Sequence, residues 1–252
     1  MAAPDDSTNS PFAGRVALVT GASGGIGAEL SRGLARDGAA LALHYASNES
    51  SASELAAEIE AAGGRALTLG ADLSDATAPE RLVADVEREL GPVDVLAANA
   101  GLSRPATWEE VDAQAFDETI AVNLRAPFLL ARRVLPGMCE RGYGRILFTS
   151  SVAALTGGIV GPHYASSKAG LHGLTHFLAS RVAADGVTVN AIAPALIEDT
   201  AMLPGDPGEL TKAVPVRRLG KPAEVADLAL AMLRNGYLTS KVVTLDGGIH
   251  PR

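Results

Sequence analysis

The chain has 252 residues, of which 47% are hydrophobic, 20% charged and 4% aromatic, and its formal net charge is −8. That length suits one α/β domain with a large core better than two small domains, and the balance argues against disorder. An acidic chain has no basic field to gather phosphates, which disfavours nucleic acid and an anionic membrane as partners.

The first ten residues carry Asp5 and Asp6 and lack the basic and apolar regions of a signal peptide, so residues 1–11 read as a disordered tail. From residue 12 onward, short runs rich in Val, Leu and Ile alternate with segments of helical period. Strands are expected over 15–20, 39–44, 65–70, 93–97, 145–149, 187–192 and 241–245. Helices are expected over 25–37, 51–62, 79–90, 116–135, 163–184 and 222–234. Strand–helix alternation implies an α/β fold, a doubly wound parallel sheet in one domain spanning 12–252. With few aromatics, the core is built from Ala, Val, Leu and Ile, as in sheets covered on both faces. Gly38, Gly63, Gly91 and Gly186 sit where left-handed caps end helices. The stretch 195–215 holds Pro204, Pro207, Pro215, Gly205 and Gly208, and reads as a substrate lid.

No apolar run reaches membrane-spanning length. Cys139 is the only cysteine, so an internal disulfide and a zinc site built on two thiols are excluded, and it reads as a small buried hydrophobe. The expectation is a soluble, cytoplasmic protein of a reducing compartment.

Four features fall at strand ends. The first expected strand runs straight into Gly21-Ala22-Ser23-Gly24-Gly25-Ile26-Gly27 and then a helix. Glycines there let backbone approach a pyrophosphate, and a helix N-terminus supplies free N–H donors. Asp72-Leu73, Asn99-Ala100-Gly101 and Ser150-Ser151 follow the third, fourth and fifth strands. Each alone reads equally as turn chemistry. Together they line the sheet edge where open α/β folds bind ligands.

Tyr164 and Lys168 lie four apart near a helix start and share one face. A phenol with an ordinary pKa of about 10 is a poor acid or base near neutrality, and an adjacent ammonium lowers it. Without context the pair is an incidental one on a solvated face. Ser151, at the end of a central strand, supplies a hydroxyl for a substrate carbonyl.

Thr20 to Gly27, Asn99-Ala100-Gly101, Ser151, Tyr164-Ala165-Ser166-Ser167-Lys168 and Pro194 make a series that resembles the short-chain dehydrogenases/reductases. The resemblance runs from Phe12 to Gly248 and includes Arg218 to Ala226 and Leu245-Asp246-Gly247-Gly248. It implies a Rossmann-type domain with a seven-stranded parallel sheet. It implies that Tyr164 exchanges a proton with the substrate oxygen, Lys168 lowers the tyrosine's pKa and holds the nicotinamide ribose, and Ser151 orients the carbonyl. Asn123 would anchor a relay water. Gly21, Ser23, Gly24, Gly25, Ile26 and Gly27 would surround the pyrophosphate, Asp72 and Leu73 the adenine, Asn99, Ala100 and Gly101 the ribose, and Pro194 with Ile197 the carboxamide. Ala195 and Ser240 stand where relatives often have glycine, and Thr200 lies one place later than the family's threonine.

His172 and His176 have i, i+4 spacing but no evident third ligand, so a structural role is preferred and no metal is expected. His163 lines the site's mouth or sits in a solvated loop; Trp108 caps the pocket or fills a core edge. The second strand ends His44-Tyr45-Ala46-Ser47-Asn48, with no carboxylate to repel a 2′-phosphate. Tyr45, Ala46, Ser47 and Asn48 are therefore expected to face the cofactor, with NADP(H) favoured over NAD(H). The reaction expected is hydride transfer between nicotinamide and a ketone or secondary alcohol, similar to 3-oxoacyl-thioester reductases. The alternatives are a sugar or other alcohol dehydrogenase using NAD, and a silent nucleotide-binding regulator on the same fold. The resemblance also implies a homotetramer or dimer.

Overall fold

Each of the seven apolar runs forms a strand in the computed structural model, which describes residues 10–200 and 206–250. They are β1 (Val16–Val19), β2 (Ala40–Tyr45), β3 (Arg65–Gly70), β4 (Val93–Ala98), β5 (Gly144–Thr149), β6 (Val187–Pro194) and β7 (Val242–Leu245). The strands form one parallel sheet in the order β3-β2-β1-β4-β5-β6-β7. The direction of winding reverses between β1 and β4, which opens a crevice beyond their carboxyl ends. Of the expected tail, 1–11, residues 1–9 lie outside the described residues; Ser10 and Pro11 instead enter the first turn, where the Ser10 carbonyl accepts from the Ala13 amide at 3.1 Å.

Among the described residues, eleven helical pieces flank the sheet or close its ends: α1 (Gly25–Arg36), α2 (Glu49–Ala61), α3 (Ala78–Glu89), α4 (Ala113–Ile120), a π-helical turn (Ala121–Arg125), α5 (Ala126–Glu140), α6 (Ala153–Thr156), α7 (Pro162–Val182), a 3-10 turn (Ala183–Asp185), α8 (Pro207–Ala213) and α9 (Pro222–Arg234). Alternation along the strands splits the core. Leu18, Leu96, Phe148 and Val189 pack with Val86, Leu130 and Leu171 on one side. Val19, Leu43, Val95 and Ile192 pack with Leu30, Leu34, Ile59 and Leu230 on the other. Left-handed glycines cap helices as expected, for example Gly38 at φ 89° and Gly186 at φ 77°.

Three expectations change. The single helix over 116–135 is instead α4, the π turn and α5. It starts earlier because Asp112 caps it, its Oδ1 accepting from the Ala115 amide at 2.8 Å. It widens at 121–125 because Pro127 has no N–H to give the carbonyl four residues back. Within 195–215, residues 207–213 are helical, started by the Asp206 carboxylate accepting from the Glu209 amide at 3.0 Å; Pro204 and Gly205 lie outside the described residues. Residues 153–156 form a single turn that no periodicity announces.

Candidate active site

The turn leaving β1 is fastened by side chains from other strands. Thr20 Oγ1 accepts from the amides of Asn99 and Ala100, each at 3.0 Å. The Asn99 amide nitrogen donates to the carbonyls of Thr20 and Gly21 at 3.2 and 3.3 Å. A Cβ on Gly27 would lie 2.1 Å from the Gly21 carbonyl oxygen, so only glycine lets α1 start this close to the turn. No side chain caps α1, which leaves its first-turn N–H groups to the cleft. These features fit the pyrophosphate of a dinucleotide.

The cleft beyond the strand ends has a volume of about 900 Å³. Gly21, Ser23, Gly24, Gly25, Ile26, Ala46, Ser47, Asn48, Asp72 and Leu73 line one part of it, with Asn99, Ala100 and Gly101 beside them. Gly27 stands behind the turn. Tyr45 is the departure: strand alternation turns it away, and its ring lies over Gly70. His44, not singled out in the sequence, lines the cleft in its place. Asn48 spends its side-chain carbonyl on the Ser51 amide at 3.3 Å, starting α2. Asp72 accepts from the Ser74 amide at 2.8 Å, and this bond holds its carboxyl below the usual range.

Ser151, Tyr164 and Lys168 converge on the same cleft. Lys168 is 2% exposed, and burial pushes its ammonium down to about 8. Its Nζ donates to the Thr149 carbonyl at 2.8 Å and stands 5.7 Å from the centre of the Tyr164 ring. The expected lowering of Tyr164 by Lys168 is not what this geometry gives. Burial raises the phenol, and the opposing influence is a hydrogen bond with Ser151.

Asn123 is fully buried. Its Oδ1 accepts from the Leu102 amide at 2.7 Å, and its Nδ2 donates to the Leu102 carbonyl at 2.9 Å and to Ser167 Oγ at 3.1 Å. Ser167 Oγ donates in turn to the Tyr164 carbonyl at 2.7 Å. The side chain thus ties the loop after β4 to the helix that carries Tyr164. His163 adds a second tie, its Nε2 meeting the Arg104 carbonyl at 3.1 Å, and the Ala106 amide donates to the Val160 carbonyl at 2.9 Å. His163 is therefore buried beneath the mouth, not solvated.

Opposite stand Pro194, Ala195, Leu196, Ile197 and Thr200. Ile197 is bridged to Gly220, and Thr200 Oγ1 donates to the Ile197 carbonyl at 3.0 Å. Ala195 is not among the positive-φ residues, so its turn has no need of glycine; Ser240, at φ 60°, occupies a conformation that glycine favours. Leu210, Ala213, Ile249, Ile159 and Val160 add apolar wall, beside Arg104, Glu118 and Thr156.

The other candidates are occupied elsewhere. His172 Nε2 meets Ser150 Oγ at 2.8 Å, and His176 Nδ1 meets Ser240 Oγ at 3.1 Å. Among the described residues no cluster of three or more His, Cys, Asp or Glu could hold a metal, and no helix is long and apolar enough to cross a membrane. Trp108 is 76% exposed, so it fills no core edge; it borders a shallow surface groove with Ile159 and Pro162 and does not line the main cleft. Cys139 packs half-buried against the core, and burial with nearby Asp185 pushes its thiol up.

Residues 15–207 match the family described as short chain dehydrogenase. The chain is 38% identical over 241 residues to nodulation protein G of Azospirillum brasilense, covering 94% of this chain and 98% of the relative. It is 36% identical over 242 residues to acetoacetyl-CoA reductase of Allochromatium vinosum, covering 93% and 98%. Among solved structures, a blue fluorescent protein from a metagenomic library in complex with NADPH superposes with a TM-score of 0.89 at 36% identity, covering 95% of this chain and 99% of that one.

Proposed function

The chain belongs to the short-chain dehydrogenase/reductase family and is a nicotinamide-dependent oxidoreductase, and from that premise we propose that it reduces a small ketone to a secondary alcohol with NADP(H), in the manner of a 3-oxoacyl-thioester reductase. The observation that carries this reading is the convergence of Ser151, Tyr164 and Lys168 on the cleft that the glycine turn opens into. When bound, the nicotinamide supplies the hydride. Ser151 orients the carbonyl, and Tyr164 donates the proton to its oxygen. Burial raises the phenol, so Tyr164 enters reduction protonated, and its hydrogen bond with Ser151 opposes that rise. Lys168 keeps charge close to the phenol and reaches the ribose hydroxyls, and Asn123 positions the loop that closes the site.

Two features support NADP(H). The end of β2 carries no carboxylate, and Ser47 with Asn48 lines the cleft there. The NADPH complex of the blue fluorescent protein is in line with this. A coenzyme-bound or free ketone is favoured over one on an acidic carrier protein, which would need a basic docking surface. Two of the rim's basic side chains are already paired, Lys212 with Glu209 at 2.6 Å and Arg218 with Glu224 at 2.6 Å. Phe128 and Phe177 are exposed on α5 and α7, which supports self-association through those helices into a dimer or tetramer.

Initial rates with short 3-oxoacyl-coenzyme A thioesters, free ketones, sugars and a carrier-bound substrate test the proposal, each with both cofactors. The expected result is turnover of thioesters or free ketones, faster with NADPH. Tighter binding of NADH than NADPH overturns the cofactor preference. Turnover confined to sugars or to carrier-bound substrate overturns the substrate reading.

A further inference from the structure

His44 does something that the proton chemistry at Tyr164 does not use. It is the next-to-last residue of β2 and faces the cleft, and it is 1% exposed. Nδ1 lies 3.2 Å from the Gly21 amide nitrogen, and Nε2 lies 3.0 Å from the Ala71 carbonyl oxygen. Gly21 opens the glycine turn after β1, and Ala71 immediately precedes Asp72 in the turn after β3. The backbone adds a third link, since the Ala22 amide donates to the His44 carbonyl at 2.9 Å.

These contacts fix the tautomer. An amide N–H can only donate and a carbonyl can only accept, so Nδ1 must be bare and Nε2 must carry the hydrogen. A second proton on the ring would turn Nδ1 into a donor facing another donor. We propose that His44 is a positioning residue for the nicotinamide cofactor, a neutral imidazole that clamps the pyrophosphate turn to the adenine-side turn and releases it when protonated. The proposal rests on the reading of this cleft as a dinucleotide site.

The surroundings leave the ring neutral. Burial lowers its pKa, and the bond to Ala71 opposes that less strongly. Leu69 of β3 lies beside it in register and Leu43 of β2 precedes it. Asp72, which follows Ala71, is committed to the Ser74 amide, and Glu49, five residues after His44, interacts with Tyr45 on the opposite face. The sign follows: the clamp is intact above the ring's lowered pKa, and cofactor affinity falls as pH drops through it, by at most one proton's worth, or about tenfold per pH unit.

The test is calorimetric titration of NADP⁺ into wild type and His44→Gln from pH 8 down to the lowest pH at which circular dichroism shows both proteins folded. Protons taken up by the ligand's own phosphate cancel in the ratio of the two dissociation constants. At pH 8 the variant is expected to bind about five- to tenfold more weakly, the loss of one buried hydrogen bond. That ratio should close toward one on acidification, because only the wild type has a clamp to lose. A ratio constant across the range overturns the proposal while leaving the cofactor reading intact. Wild type that binds neither NADP⁺ nor NAD⁺ overturns both. Long-range ¹⁵N–¹H spectra of the wild type give a readout that needs no variant: the Nε2–H tautomer at pH 8 is expected, and the Nδ1–H tautomer contradicts the clamp.

Discussion

The glycine turn and the base of the lid meet at Gly25, where a Cβ would stand 2.8 Å from the Asp199 carbonyl oxygen, yet the two are built on different principles. The turn is anchored by side chains from several elements: Thr20 after β1, His44 on β2 and Asn99 after β4. The lid base is held by backbone bonds, from the Ala195 amide to the Leu245 carbonyl and between 196–198 and Gly220, with one side-chain bond from Thr200 and with Asp199 at φ 53°, a conformation that costs about 1 kcal/mol or more for a residue other than glycine. Parallel strands thus deliver a cofactor side fastened by side chains from several elements, whereas the substrate side depends on a segment fastened chiefly through its backbone. The contrast suits an enzyme that grips a constant cofactor and a variable ketone.

The sharpest break of this contrast comes from Lys168, which serves both sides. Lys168→Met should cut kcat/KM by about 10³-fold or more, through loss of both the proton chemistry and the ribose contact. The same change should raise the melting temperature of the cofactor-free protein. Burial holds the folded ammonium at about 8, below its usual value, so the unfolded chain binds a proton that the folded chain gives up between those values. The penalty is therefore present in full below pH 8 and fades as pH rises toward the lysine's ordinary value. Scanning calorimetry at pH 7 should show a gain of roughly 1–2 kcal/mol, shrinking at pH 10. A loss of stability at pH 7 contradicts it.

A pair of glycine changes sharpens the cofactor side. Gly27→Ala forces backbone apart and should weaken cofactor binding by about tenfold or more, the effect of overpacking a rigid site. Gly24→Ala should stay within about twofold, because its nearest neighbour would be 3.5 Å away and its φ is −93°. Equilibrium titration distinguishes them, and equal effects would mean that the turn is not held as described.

The smallest rate effect is expected from Asn123→Ala. It strands both polar groups of the Leu102 backbone and should cost about 2–4 kcal/mol in urea unfolding, with turnover falling only several-fold. An unchanged unfolding free energy contradicts the fastening role.

The same division decides what was legible in the sequence. Strand cores such as 93–98 announce themselves because burial on two faces demands a run of apolar residues. The glycine turn, Asn99, Ser151 and the Tyr164–Lys168 spacing follow because strand ends position them. His44 escaped notice because its role depends on two partners, Gly21 and Ala71, that only strand pairing brings together. Tyr45 was expected in the cleft because the end of β2 was read as a segment, and alternation sends neighbouring side chains to opposite faces. The helix over 116–135 was read through a π turn that leaves the apolar pattern almost unbroken. Trp108 has no periodic context at all, and its exposure depends on the path of a loop.

The central claim, that the two sides of the cleft divide binding from proton chemistry, is tested most directly by Tyr164→Phe, with NADPH affinity and single-turnover ketone reduction measured on the same folded protein. Removing the hydroxyl while keeping the ring should leave the dissociation constant within about threefold and slow reduction by about 10²- to 10⁴-fold, the range for a positioned acid. A variant that is folded, binds NADPH normally and keeps more than about a tenth of the wild-type rate would contradict the account, since a proton donor is worth more than that.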